Sequence, residues 1–260
     1  MKKIIKNPLV ALALGLIIIA ASSVGATRAA VIYQDNAKEV DFDTSFVSVD
    51  VLEGSADTEV KSVKESGYLK FPGMPKDITI GQKYDEYVDV KNGSGEYYEY
   101  VRVKVRKYWV KTVDREYRKD TTLNPDTIVL DVDSAWVKNA DEHTPEEDVY
   151  YLTTPLGYTD EDNLQRFIKG ITIDNEVATL VKNEPVKDAK GVEIAGEIKN
   201  TYLYNDASFY VELEVNAVQA HNAEKAIYGA WGVRVKCADT GTETGEHDGK
   251  IISIEGVATN

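Results

Sequence analysis

Cysteine is nearly missing from this 260-residue chain: Cys237 stands alone, so an internal disulfide framework is excluded. With no partner histidine motif beside it, Cys237 reads as a small buried or tail thiol, not a nucleophile. Histidine is almost as scarce. His143, His221 and His247 are far apart, and none forms the H-E-x-x-H pattern with which a zinc peptidase grips its metal and keeps a water open for activation. There is no G-x-S-x-G turn and no glycine loop to cradle phosphate. Basic charge is in short supply too: 30 Lys and Arg face 44 Asp and Glu, a net charge of −14. Such a surface repels phosphate backbones and anionic lipid, which argues against nucleic acid as a partner.

What the chain does have begins at its start. Lys2, Lys3 and Lys6 precede an apolar run from Leu9 to Ala21, and small residues follow at Ser22, Ser23, Gly25, Ala26, Ala29 and Ala30. This is the pattern of a secretory signal peptide over residues 1–29. The run of about 13 residues is short of the roughly 20 that a membrane-crossing helix needs, so membrane contact is expected only through the signal before cleavage; a retained anchor is the alternative. Cleavage after Ala26 fits the small-residue rule. Loss of residues 1–29 removes Lys2, Lys3, Lys6 and Arg28 and no acid, taking the net charge from −14 to −18. The remainder is long enough to bury one large β domain, expected over residues 30–237.

Most of that remainder reads as strands. Asp41 to Leu52 alternates polar and apolar, with Val47, Val49 and Val51 on one face and an expected bulge near Thr44-Ser45. Glu53 to Gly67 reads as an acidic connection. Phe71-Pro72-Gly73-Met74-Pro75 is a rigid turn, and Lys91-Asn92-Gly93-Ser94-Gly95 a second one. Between and after them, Tyr84 to Val90 and Tyr97 to Val113 are predicted to pair as a long hairpin. Its basic residues, Arg102, Lys104, Arg106, Lys107 and Lys111, are expected to face Asp85, Glu86 and Asp89 across the strands.

Further on, Asp114 to Asn124 reads as loop, with strands at Thr127 to Leu130, near Trp136 and at Val149 to Thr154. Thr159-x-x-Asp162, followed by Leu164, Phe167 and Ile168, predicts a short helix over 159–169, and Ile171 to Asp174 a return to strand. Glu176 to Lys199 reads as mixed, with loops at Pro185 and Gly191. Phe209 to Ala217 is a long amphipathic strand, Gln219 to Ile227 a short helix that Asn222 can cap, and residues 238–260 a tail with a possible last strand at Ile251 to Ile254. Period-2 patterning alone supports an all-β, antiparallel sandwich or barrel.

Candidate chemistry is thin. Asp131-Val132-Asp133 and the stretch from Asp239 to Asp248 could bind calcium weakly, but the latter lacks the central glycine and terminal glutamate of an EF-hand loop, and no cofactor is expected. His221 and Glu224 stand at i, i+3, where a surface polar pair is the simpler reading than a metal site. Abundant carboxylates keep glycosidase chemistry open on counting alone.

Three stretches together resemble the TasA-type biofilm fibre proteins and their camelysin-like relatives of Gram-positive bacteria. They are the junction Gly25-Ala26-Thr27-Arg28-Ala29-Ala30-Val31-Ile32-Tyr33-Gln34-Asp35, the segment containing Pro72-Gly73 and Asn92-Gly93-Ser94-Gly95, and the late strand with Ala217-Val218-Gln219-Ala220-His221-Asn222. Arg28 stands where the family commonly has an aromatic. The resemblance implies cleavage near Ala29 or Ala30, a jelly-roll-like sandwich with one or two short helices, and secretion to the extracellular matrix or cell surface. It also implies assembly with copies of itself, or with a related matrix protein, by donating a freed N-terminal strand to the next subunit. Independently, Val31, Ile32, Tyr33, Val40 and Phe42 are apolar, poorly satisfied at a free end, and suited to pairing with an open sheet edge. A head-to-tail contact of that kind does not close on itself and propagates into filaments. A strand tucked into its own sandwich, a cell-surface adhesin and a camelysin-like metallopeptidase are the alternatives.

Overall fold

The computed structural model describes residues 47–56, 58–62, 67–113, 115–238 and 249–255. The expected signal peptide, the cleavage junction and the bulge at Thr44-Ser45 lie outside them. The described residues are dominated by antiparallel strands: β1 (Val49–Ser55), β2 (Thr58–Ser62), β3 (Lys83–Tyr84), β4 (Tyr87–Asn92), β5 (Glu99–Val113), β6 (Glu116–Lys119), β7 (Ile128–Val132), β8 (Trp136–Lys138), β9 (Glu147–Leu152), β10 (Leu164–Ile173), β11 (Val181–Lys187), β12 (Glu193–Tyr202), β13 (Ala207–Gln219), β14 (Arg234–Cys237) and β15 (Ile251–Glu255), with one α-helix, α1 (Ala223–Trp231). The all-β sandwich is therefore the fold.

Its first sheet runs β2-β1-β4-β10, with β3 and β7 also on β10. Its second runs β13-β5-β9-β8, with β6 beside the far end of β5. Strand alternation explains why the two pack. Val88 and Val90 of β4, and Ile168, Ile171 and Ile173 of β10, turn inward from the first sheet. Val101, Val103, Val105 and Trp109 of β5, with Val211 and Leu213 of β13, meet them from the second. The valine face read on β5 is this core.

The pairing of that strand differs from expectation. Tyr84 to Val90 and Tyr97 to Val113 do not form a hairpin: β4 pairs β1 and β10, whereas β5 pairs β13, β9 and β6. The Asn92 turn carries the chain from one sheet to the other. Asn92 Oδ1 accepts hydrogen bonds from the Ser94 N–H at 2.8 Å and the Ser94 hydroxyl at 2.7 Å, while its Nδ2 donates to the Tyr97 carbonyl at 2.7 Å. An Asx turn of this kind reverses the chain without obliging its flanks to pair.

Other departures follow from burial. Glu53 to Gly67 is no mere connection, because β1 runs on to Ser55 and pairs with β2. The supposed loop 114–124 contains β6, and the mixed stretch 176–199 contains β11 and most of β12, a hairpin on its own. Residues 159–169 are not helical. Thr159 and Asp162 close only a turn, and Leu164 begins β10. The strand at 149–154 is present as β9, preceded by a turn in which Thr144 Oγ1 accepts from the Glu147 N–H.

A second, smaller core covers one end of the second sheet's outer face. Tyr100, Val149, Tyr151 and Val218 pack there under α1, β14 and β15. Asn222 precedes α1 as expected but sits in the left-handed region at φ 53°, and its side chain makes no capping bond. Gly232, at φ 73°, ends the helix with its N–H on the Tyr228 carbonyl. The last strand exists: β15 pairs β14, and Cys237 is buried beside it.

Candidate functional site

Beyond α1, the outer face of the second sheet is open among the described residues. Even-numbered residues of β5 and β13 point outward, so Arg106 and Tyr108 stand beside Glu212 and Tyr210 in direct cross-strand register. The rings of Tyr108 and Tyr210 lie stacked, centroids 5.8 Å apart at 22°, and Tyr68 meets Tyr210 edge-on at 5.7 Å. Tyr68 reaches this face because Gly67–Leu69 bridges onto β13 at Glu212. Tyr108 donates its hydroxyl to that of Tyr68 at 3.3 Å. Burial first, then that bond, holds the Tyr108 phenol above its ordinary pKa. Together with Tyr117 of β6 and Thr144, these rings line an open groove of about 820 Å³.

The groove's charges are matched. Arg106 donates to Glu147 at 2.6 Å and to Glu214 at 3.1 Å, with Glu212 at 4.0 Å. Lys119 pairs with Glu146 and sits 5.2 Å from the Tyr108 ring centroid. The β5 cations thus have partners other than Asp85, Glu86 and Asp89: beside Arg106, Lys104 lies 3.6 Å from Glu214 and Arg102 3.9 Å from Glu142. Asp89 instead pairs with Arg166. Lys107 and Lys111, one residue out of phase, turn to the other face of β5: Lys107 is buried at 3.8 Å from Asp148, and Lys111 lies 3.3 Å from Asp120.

A second feature lies where the chain enters the sandwich. Glu99, fully buried at the start of β5, accepts the Ser48 N–H at 3.2 Å, and the Gly93 N–H donates to the Ser48 carbonyl at 2.7 Å. Residues from both sheets thus hold the chain at Ser48. Burial pushes the Glu99 carboxyl up to about 7, against the opposing bonds from Ser48 and Ser94. Nearby, β13 ends its sheet. Among the described residues the main-chain hydrogen bonds on its outer edge come from Gly67–Leu69, through Leu69 N–H to Val211 and Leu213 N–H to Gly67, and β1 also lies close to β13 without joining its ladder. Beyond that contact Val215 and Ala217 remain half-buried, as do Val49 and Val51 of β1.

The sequence-predicted donor residues Val31, Ile32, Tyr33, Val40 and Phe42 lie outside the described residues. Of the suggested calcium ligands, Asp131 pairs with Lys83, whose hydrogen bond holds its carboxyl below the usual range, and Asp133 lies 3.6 Å from Lys169. The 239–248 stretch is outside the described residues, as is His247. His143 Nδ1 sits 2.6 Å from Asp148, and Glu224 accepts the Cys237 N–H at 3.0 Å. Among the described residues no three His, Cys, Asp or Glu side chains group as a metal site. The tyrosine groove was missed because its rings come from four separate segments. The one available signal was compositional, 16 tyrosines against 5 phenylalanines.

Compared with protein-family models, curated proteins and solved structures, the chain matches none.

Proposed function

We propose that this chain is a secreted structural subunit of the TasA type, which assembles into extracellular matrix filaments by donating its N-terminal segment to a sheet edge of the next subunit. The observation that carries the reading is the edge of β13. It is 13 residues long and, among the described residues, is hydrogen-bonded over only a short part, while Val215 and Ala217 on it are half-buried. An added strand satisfies such an edge twice: its main chain completes the ladder, and alternate apolar side chains cover the half-buried residues.

The donor chemistry fits that acceptor. Val31, Ile32, Tyr33, Val40 and Phe42 supply β-prone apolar side chains. The hold on Ser48 by Glu99 and Gly93 gives the segment a fixed point of departure, so its reach is set by the intervening residues alone. Donor and acceptor on different parts of one chain make a heterologous contact, which propagates.

The test is negative-stain electron microscopy of protein beginning at Ala30 beside protein beginning at Asp43. Filaments from the first and monomers from the second are expected. Monomers from both overturn self-assembly.

A further inference from the structure

We propose that the tyrosine groove on the outer face of β5 and β13 is a binding site for a neutral polysaccharide. This stands apart from the assembly reading, since the groove lies on a sheet face and meets the β13 edge only at Tyr68, where Gly67–Leu69 already bonds it.

Three observations select the ligand class. The first is shape. An open groove of about 820 Å³ has the size of a ligand site and suits a chain that passes through rather than a small molecule enclosed on all sides. Among the described residues it also lies on the part of this face that α1, β14 and β15 do not cover.

The second is the aromatic floor. A sugar ring presents C–H bonds on its flat faces, which carry partial positive charge, and the face of a tyrosine carries the negative lobe of its quadrupole. Tyr108 and Tyr210 bring two such rings together, fixed by stacking and by the Tyr68 edge, and Lys119 over the Tyr108 ring is the side chain there that a sugar would have to move aside or bond. Tyr117, 69% exposed, stands at the rim with little to bury it. A tyrosine that served only to cover the sheet would have its ring under neighbouring side chains.

The third is charge. Arg106 and Lys119 are matched by Glu147, Glu214 and Glu146, so the groove has no unopposed cation to attract a uronate or phosphate polymer. It does have guanidinium donors beside carboxylate acceptors, the paired arrangement that vicinal hydroxyls satisfy. An extended peptide is poorly served, because the floor is the face of a sheet whose main-chain groups are already bonded along the β5–β13 ladder.

The experiment is affinity electrophoresis in native gels cast with hydroxyethylcellulose, galactomannan or dextran, and with polygalacturonate as the anionic comparison. Retardation is expected in at least one neutral polymer and not in polygalacturonate. The Tyr108→Ala protein, and Tyr117→Ala, which alters an exposed ring and leaves the core intact, are each expected to weaken that binding about tenfold. Migration in polymer-free gels and thermal melts establish that both variants are folded. The proposal is overturned if no neutral polymer retards the protein, if polygalacturonate retards it as strongly as the neutral polymers do, or if Tyr117→Ala binds as the parent does.

Discussion

Glu86 is buried to its last atom against Glu53, and no N–H or cation reaches either of its carboxyl oxygens among the described residues. Glu53, itself buried, accepts the backbone N–H groups of Lys70 at 2.6 Å and Phe71 at 2.8 Å through one oxygen. Two carboxyls therefore share a site that has donors for one. Burial first, then the bond and charge of Glu53, push Glu86 up to about 10, so at neutral pH it holds a proton and donates it to Glu53.

That arrangement has a definite pH signature. A carboxyl whose pKa is raised by folding adds stability that is complete below its unfolded value, near 4.5, and is lost as pH rises through the folded one. Glu99 gives up its share by about pH 7, and Glu86 continues to about 10. The urea midpoint is expected to fall between pH 5 and pH 8. In Glu86→Gln, whose amide can donate to Glu53 at any pH, the fall should be smaller and stability at pH 8 higher by about 1 kcal/mol or more. Equal midpoints for the parent at pH 5 and pH 8 would show that neither carboxyl is protonated in the fold.

Asp148 works in the opposite direction. Burial opposes its ionisation, but hydrogen bonds from Lys138 and His143 and the charge of Lys107 outweigh it and hold its carboxyl below the usual range. Its contribution is present above pH about 4 and is lost as pH falls further. Replacing it with Asn leaves Lys107, 9% exposed at its side chain, without its nearest counter-charge. The expected cost at pH 7 is about 3 kcal/mol by chemical denaturation. A loss under about 0.5 kcal/mol would mean that the Ile128 carbonyl and Asp126, at 3.9 Å, suffice to hold Lys107.

Gly73 tests the turn that Glu53 anchors. A β-carbon there would lie 2.5 Å from the Asp85 carbonyl oxygen and 2.7 Å from Ser55 Cβ. Neither is a flexible chain end, so Gly73→Ala should cost about 1–3 kcal/mol. Gly95 at φ +75° has open space around it, and its substitution by Ala should cost only about 1 kcal/mol, the price of the left-handed conformation. Thermal melts of the two variants give the ranking, and an equal or reversed order would refute the close approach.

How far the sequence reads as structure depends on which interactions set each element. β5 and β13 were legible because each alternates cleanly over many residues and one face is buried. Their pairing with each other was not, since 100 residues separate Trp109 of β5 from its partner Phe209 of β13 and no local signal spans such a gap. β10 was misread for a physical reason. Its register shifts between Arg166 and Ile168, and again between Ile168 and Gly170, so that Phe167 and Ile168 are both buried. A bulge that turns two consecutive residues inward imitates the i, i+3, i+4 stripe of a helix. The acid pair was equally hidden. Glu53 read as the start of an acidic connection and Glu86 as a partner of the β5 cations, until the pairing of β1 with β4 brought the two together.

The β11–β12 hairpin is the part of the sandwich that the rest should least need. Val181, Pro185, Ile198 and Tyr202 share one face by register, and all four are exposed. Below them Leu180 and Leu203 pack against the main core, and the Leu203 N–H donates to the Leu180 carbonyl at 2.9 Å. That hydrogen-bonded pair is a ready closing point for a two-residue turn. Replacing residues 181–202 with Asn-Gly should therefore keep Leu180 and Leu203 in place and shift the melting temperature by less than about 3 °C, since the excised strands pair only with each other. A fall of more than about 10 °C would show that the hairpin supports the sandwich through contacts beyond its own ladder. A small shift would instead place its exposed apolar face outside the stability of the fold, as a surface maintained for something other than folding.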